Sequence, residues 1–229
     1  LLASLAMANE ERGSQSWGVF APRTGALDKH VGAITASFAA GKLAREPAVV
    51  AHTRFATMGN VTAENAHPFK LAGGLIGAHN GIVYNHAELC KAYGDEPVDS
   101  IHLLRAIEEE RPLSTITAYG ALTYMRPADP RVHMGRFNGG ELAVAGFTGG
   151  LAWSSCERAL RTALALAGLI AKHYEVKAGA RYGARDGVLY LADPEGFTAI
   201  KAGGSASRWD AGGRVGHVAR TPSLFSPSG

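Results

Sequence analysis

The chain has very little cysteine: its 229 residues contain only Cys90 and Cys156. Two cysteines cannot form a disulfide framework and show no metal-ligand spacing, so a reducing cytoplasm is the expected compartment. Also missing is an apolar run of the roughly 20 residues needed to span a bilayer. The alanine- and leucine-rich stretch 159–171 comes nearest, but Arg158, Arg161 and Lys172 punctuate it. Neither sign of charge dominates. Lysine and arginine total 23 against 20 acidic residues, a formal charge of +3. The basic residues are scattered and form no stripe with interleaved aromatics, so nucleic-acid binding is not expected. The opening LLASLAMANEER has neither the basic flank nor the cleavage site of a secretory signal.

What remains is an ordinary globular composition, with 46% hydrophobic and 19% charged residues. The length suffices for a substantial core. The 29 glycines suit many tight turns between strands. Leu1, Leu2, Leu5 and Ala8 share one face and predict a helix over 1–11, ended by the Arg12–Ser16 stretch before a strand at 17–21. Val31, Ile34, Phe38 and Leu43 are spaced for a second helix. Asn85 with Glu88 three residues later has the spacing of a capping box, which predicts a helix over 86–93. Asp99 or Ser100 then caps another, with Ile101, Leu104, Ala106 and Ile107 toward the core, ending before Pro112. A short helix is expected at 113–118. Strand texture follows at 121–125, 132–137, 141–147 and 151–155, then a helix over 156–168 with Gly168 as its C-cap. Further strands are expected at 174–176, 187–192 and 197–201, and a loose Gly/Ser/Pro-rich tail over 203–229. No internal repeat or linker is visible, so residues 1–202 read as one domain with strands in the centre and helices outside.

The chain is organised around residues 49–85. Two short apolar runs, 48–51 and 75–78, read as buried strands. Each leads into a polar cluster: His52-Thr53-Arg54 and His79-Asn80-Gly81. Two such endings close together suggest a single pocket. Arg54 carries a planar fork suited to a carboxylate. Asn80 offers an amide donor and Gly81 a backbone N–H, the pair of donors an oxyanion hole needs. Asp99 could receive an ammonium group. A site with these three features would suit a free amino acid. Each has a plainer reading: Arg54 as half of an ion pair, Asn80-Gly81 as a hairpin turn, Asp99 as an N-cap. His52, His67, His79 and His86 show no HxxxH or HxH spacing with a carboxylate, so neither a metal nor any other cofactor is expected.

The order of the motifs is more specific than any one of them. Arg12-Gly13-Ser14-Gln15-Ser16-Trp17-Gly18 is followed by Ala51-His52-Thr53-Arg54-Phe55-Ala56-Thr57-Met58-Gly59 and by Asn65-Ala66-His67-Pro68-Phe69. Ala78-His79-Asn80-Gly81-Ile82-Val83-Tyr84-Asn85 and Val98-Asp99-Ser100 complete the series. This series resembles the glutaminase domain of class II glutamine amidotransferases, and is similar to those of amidophosphoribosyltransferase and glucosamine-phosphate synthase. The resemblance runs from Glu11 to about Ile107, continues more loosely through 120–160, and fades after Gly168. It implies an α+β fold, the four-layer αββα sandwich of the N-terminal-nucleophile hydrolases. It implies that Arg54 holds the glutamine α-carboxylate, that Asp99 holds its α-ammonium and that Thr57 helps to bind it. Asn80 and Gly81 would form the oxyanion hole. Ammonia released from glutamine would pass to a separate synthase or other acceptor protein, and a homo-oligomer is left open.

Three departures stand out. The family's nucleophile is a cysteine at the mature N-terminus, and no such cysteine is present. Cys90 and Cys156 fall at other places in the pattern. Because Arg12 comes early and the chain begins at Leu1 rather than methionine, we expect a first strand and its nucleophile to precede Leu1. Gln15 and Ser16 stand where relatives usually carry aspartate then serine, and His102 stands where they are often acidic. The rival expectation is a catalytically inactive member of the fold that serves as a binding or assembly module. A related amidase acting on another amide is a third.

Overall fold

Apolar residues that alternate along a strand place one set on each face of a sheet, and a sheet buried on both faces needs a covering layer on each side. That arithmetic sets the architecture here. The computed structural model describes residues 1–193, 196–200, 208–209 and 215–216. Its helices are α1 (Leu2–Glu10), α2 (His86–Tyr93), α3 (Ser100–Glu108) and α4 (Glu157–Leu166). The strands β1 (Ser16–Ala21), β2 (Ala26–Val31) and β3 (Val50–Arg54) form one antiparallel sheet in the order β2-β1-β3. A second three-stranded sheet, β10-β8-β9, joins β8 (Ala143–Phe147), β9 (Gly150–Ser154) and β10 (Ala171–Tyr174). The largest sheet has seven strands: β4 (Phe69–Lys70), β5 (Ile76–Val83), β6 (Ala118–Arg126), β7 (Asp129–Arg136), β11 (Arg181–Arg185), β12 (Val188–Asp193) and β13 (Gly196–Ile200). Their order is β13-β12-β11-β7-β6-β5-β4.

Four layers follow from the packing. Phe20, Val50 and Val144 of the small sheets meet Ile76, Met134, Tyr182 and Leu189 of the large one in the central apolar layer. On the outer face of the large sheet, Leu89, Leu103 and Leu104 of α2 and α3 pack against Leu122 and Tyr124. Beneath the small sheets, Leu160 and Leu164 of α4 lie on Ala145 and Ala152, and Ala6 of α1 lies with Trp17 and Val19. β6 shows the alternation directly, with Ala121 and Met125 turned to one core and Leu122 and Tyr124 to the other. The result is the expected α+β sandwich in αββα order.

Several local expectations change. The spacing over 31–43 does not produce a helix. β2 runs to Val31, Gly32 follows at a φ of 101°, and only two short 3₁₀ turns form, Ile34–Ala36 and Ala40–Leu43. A single apolar residue per turn, in an alanine run broken by glycine, buries too little to hold an α-helix. β2 itself was not anticipated, because its residues alternate between exposed and half-buried and include Asp28, Lys29 and His30. The third short helix is one 3₁₀ turn, Leu113–Thr115. The strand expected at 174–176 lies earlier, at β10, and β11 was missed among its arginines. Gly168 does close α4, at φ 66°, with the Leu169 N–H donating to the Leu164 carbonyl at 2.9 Å. The expected 202/203 boundary and the tail 203–229 lie outside the described residues, apart from the paired segments Arg208–Trp209 and Val215–Gly216.

Candidate active site

Neither polar cluster begins where its strand stops. β3 continues through His52 and Thr53 to Arg54, and β5 continues through His79, Asn80 and Gly81 to Val83. Asn80-Gly81 is therefore mid-strand and not a hairpin turn. The register pairs Gly81 with Gly120 of β6. A Cβ on Gly81 would lie 1.8 Å from the Tyr119 carbonyl oxygen, so only glycine fits this approach of two backbones. A similar constraint acts on the Arg12-Gly13 motif. A Cβ on Gly13 would lie 2.4 Å from the carbonyl carbon of Arg54, so the α1–β1 connection can press against the end of β3.

These strand ends and the start of α3 enclose a cleft of about 210 Å³. Arg54, Thr57, Asn80, Gly81 and Asp99 all line it. A larger hollow of about 290 Å³, bordered by Arg111, Tyr124 and Arg126, contains none of the five. Arg12, His52, His67 and His79, to which sequence reasoning gave no role, also border the first cleft. Their signal was only that they belong to the same motifs.

Arg54 is 4% exposed. Its guanidinium donates to the Met58 carbonyl and, at 3.3 Å, to that of Asn60, which holds the loop carrying the exposed Thr57. Gln15 braces the same loop: its Oε1 accepts from the Ala56 N–H at 2.7 Å and its own N–H donates to the Arg54 carbonyl. Burial pushes the Arg54 pKa below its ordinary value, and Asp99 acts in the opposite direction. Asp99 is 3% exposed. One carboxylate oxygen accepts from the Val83 N–H at 2.6 Å, the other from the Ser100 N–H at 2.9 Å. It thus caps α3 and ties that helix to β5. Among the described residues no salt bridge joins Arg54 to Asp99. The plain ion-pair reading of Arg54 does not hold, while Asp99 is an N-cap that also borders the cleft.

Burial keeps the three histidines of the cleft, His52, His67 and His79, uncharged at ordinary pH. His79 Nε2 lies 3.0 Å from the Tyr119 carbonyl, which can only accept, so Nε2 carries the proton and Nδ1 accepts from Ser100 Oγ at 3.0 Å. Burial holds the His79 pKa below its usual value, against the pull of Asp99 and the carbonyl. His67 is lowered by burial first, then by His52, His79, Arg54 and Lys29. Ser100 and His79 make a hydroxyl–imidazole pair in the wall of the cleft. Neither Cys90 nor Cys156 lines the cleft. What the arrangement can do is hold a small zwitterion: a buried cation and a buried anion border one cavity, each supported by backbone groups of the opposite polarity.

No family model matches the chain. In sequence it is 36% identical over 126 residues to a glutamine–fructose-6-phosphate aminotransferase of Lactococcus lactis, covering 48% of this chain and 20% of that protein. The enzyme of the same name from Streptococcus mutans is 38% identical over 91 residues, covering 37% of this chain and 15% of that protein. The chain therefore spans about a fifth, or less, of the length of these relatives. Among solved structures, the glutamine phosphoribosylpyrophosphate amidotransferase of B. subtilis complexed with ADP and GMP superposes with a TM-score of 0.58 at 20% identity. It covers 90% of this chain and 47% of that one. A structure described as the allosteric regulatory enzyme of purine biosynthesis gives a TM-score of 0.60 at 20% identity, covering 87% of this chain and 46% of that one. At that identity the structural likeness speaks for the fold alone.

Proposed function

We propose that this chain, which carries a class II glutamine amidotransferase domain, binds free glutamine in the Arg54–Asp99 cleft and releases its side-chain amide nitrogen as ammonia. The observation that carries the reading is the unpaired arrangement of the two buried charges. Arg54 and Asp99 line the same 210 Å³ space without closing on each other. Arg54 would take the α-carboxylate through its fork and Asp99 the α-ammonium, which leaves the side chain directed along β5. There the Asn80 amide and the Gly81 N–H would stabilise the negative oxygen that develops on the amide carbon.

The chemistry needs a nucleophile, and we assign it to the thiol of an N-terminal cysteine. The thiolate sulfur bonds to the amide carbon, and collapse of the tetrahedral adduct breaks the C–N bond. The departing nitrogen takes a proton, carried by the cysteine's own α-amino group, and leaves as ammonia. Water then attacks the thioester, the C–S bond breaks, and glutamate and the thiol are restored. Ammonia would pass to a separate acceptor protein. A reducing cytoplasm is the compartment in which such a thiol survives.

The test is glutamate release from glutamine by the protein expressed with its natural N-terminus, alone and with the products of neighbouring genes. Turnover that disappears when the N-terminal cysteine is replaced by alanine supports the reading; no turnover under either condition overturns it. A second reading, a catalytically inactive binding or assembly module, is favoured by one observation: neither cysteine of the chain reaches the cleft. The residue that follows the initiator methionine in the full reading frame separates the two.

A further inference from the structure

Away from the cleft, α2 and α3 bring together three side chains whose chemistry has no part in the proposed reaction. His86 and Cys90 stand four residues apart on one face of α2, and His102 projects from the first turn of α3. Cys90 Sγ lies 3.5 Å from His86 Nε2 and 3.4 Å from His102 Nε2. One ligand atom from each residue lies within 4.8 Å of the others. His102 is fully buried, and its Nδ1 has no hydrogen-bond partner among the described residues. The thiol can donate to one imidazole and accept only weakly from the other, so hydrogen bonding holds the cluster loosely.

We propose that His86, Cys90 and His102 form a binding site for a zinc-class divalent cation, with a fourth position open to solvent. The donor set is the first argument: one thiolate and two imidazoles select zinc-like ions over magnesium or calcium, which take oxygen ligands. Geometry is the second. With Zn–N near 2.0–2.1 Å and Zn–S near 2.3 Å, a tetrahedral S–Zn–N edge measures about 3.5 Å. The two S···N separations already match that edge. A bound ion would pin α2 to the first turn of α3, one helical turn after Asp99. The site stands whether or not the cleft hydrolyses glutamine.

The experiment uses the full chain without an affinity tag, freed of metal with a chelator and titrated with zinc, cobalt or magnesium. Expected are one zinc per chain, a thiolate-to-cobalt charge-transfer band in the near ultraviolet, a melting temperature raised by zinc, and no response to magnesium. Cys90→Ser should abolish the band. Loss of an outer partner weakens metal sites by about 10- to 100-fold, and loss of a ligand should exceed that. Both Cys90 and His86 are half-buried on the outer helix, so His86→Ala provides a second variant that also weakens zinc by more than tenfold. Arg54→Ala, in the cleft, should leave zinc affinity unchanged. Absence of zinc binding by the parent chain would overturn the site. So would affinity unchanged in both Cys90→Ser and His86→Ala, or affinity lost only when His52 is replaced by alanine.

Discussion

Arg54 uses its guanidinium twice over, to hold the Met58–Asn60 loop through two carbonyls and to present charge to the cleft. The sequence motif pointed to this residue, but not to the loop it holds. Arg54→Lys keeps the charge and removes the planar fork. For the protein with its natural N-terminus, the Michaelis constant for glutamine should rise about 10- to 100-fold, the equivalent of the roughly 1.5–3 kcal/mol of a charged hydrogen bond. An unchanged constant would remove Arg54 from substrate binding. Asp99→Asn preserves shape and can still accept from one N–H, yet withdraws the charge that would face an ammonium group. Its Michaelis constant should also rise, with kcat changed less; equal losses of affinity for glutamine and for an analogue lacking the α-amino group would count against the ammonium role. His102 shows what a residue-level reading misses. It was noted only as a departure at a usually acidic position, because its partners Cys90 and His86 come from another helix.

At the scale of elements, β5 carries the main lesson. Its apolar run ended at Ala78 on paper, but the strand persists to Val83 because β6 pairs with it through Gly81↔Gly120 and on to Val83↔Ala118. Tertiary pairing overrides the local hairpin preference of Asn-Gly. Gly81→Ala would drive a Cβ into the Tyr119 carbonyl and should destabilise the fold by about 1–3 kcal/mol or more, read as a lower melting temperature. A variant that melts with the parent would show that the strand pair can relax. Leu104, fully buried in α3 against the large sheet, offers a comparison far from strain. Leu104→Ala should cost about 2–5 kcal/mol in denaturant unfolding. The α2 cap shows the opposite error. The Asn85–Glu88 spacing correctly placed the helix, but Asn85 makes no side-chain cap; its amide donates to the Thr115 carbonyl and accepts from the Thr117 N–H.

For the whole molecule, buried neutral histidines predict acid lability. His67 and His79 both have pKa values held below the model-peptide 6.5 by burial. Between that value and their lowered folded values, the unfolded chain binds protons that the folded chain refuses. Stability is therefore intact above about pH 6.5 and falls as pH drops, by up to about 1.4 kcal/mol per pH unit for each histidine. Urea midpoints should be lower at about pH 5.5 than at about pH 7.5; identical midpoints would mean these imidazoles titrate normally. No described helix is long and apolar enough to cross a membrane.

The sequence by itself determined strands in the centre with helices outside, and the order of motifs whose resemblance implied four layers and brought Arg54, Asn80, Gly81 and Asp99 into consideration together. These are local or linear properties, written in spacing. Tertiary structure decided the rest. It continued β3 and β5 through their polar residues, left Arg54 and Asp99 without an ion pair across one cleft, and excluded both cysteines from it. It also placed His102 beside Cys90 and His86, a cluster no single-helix spacing rule could reveal. The physical reason is the same in each case: strand pairing and the convergence of distant side chains depend on long-range burial, which the chain acquires only when its layers close.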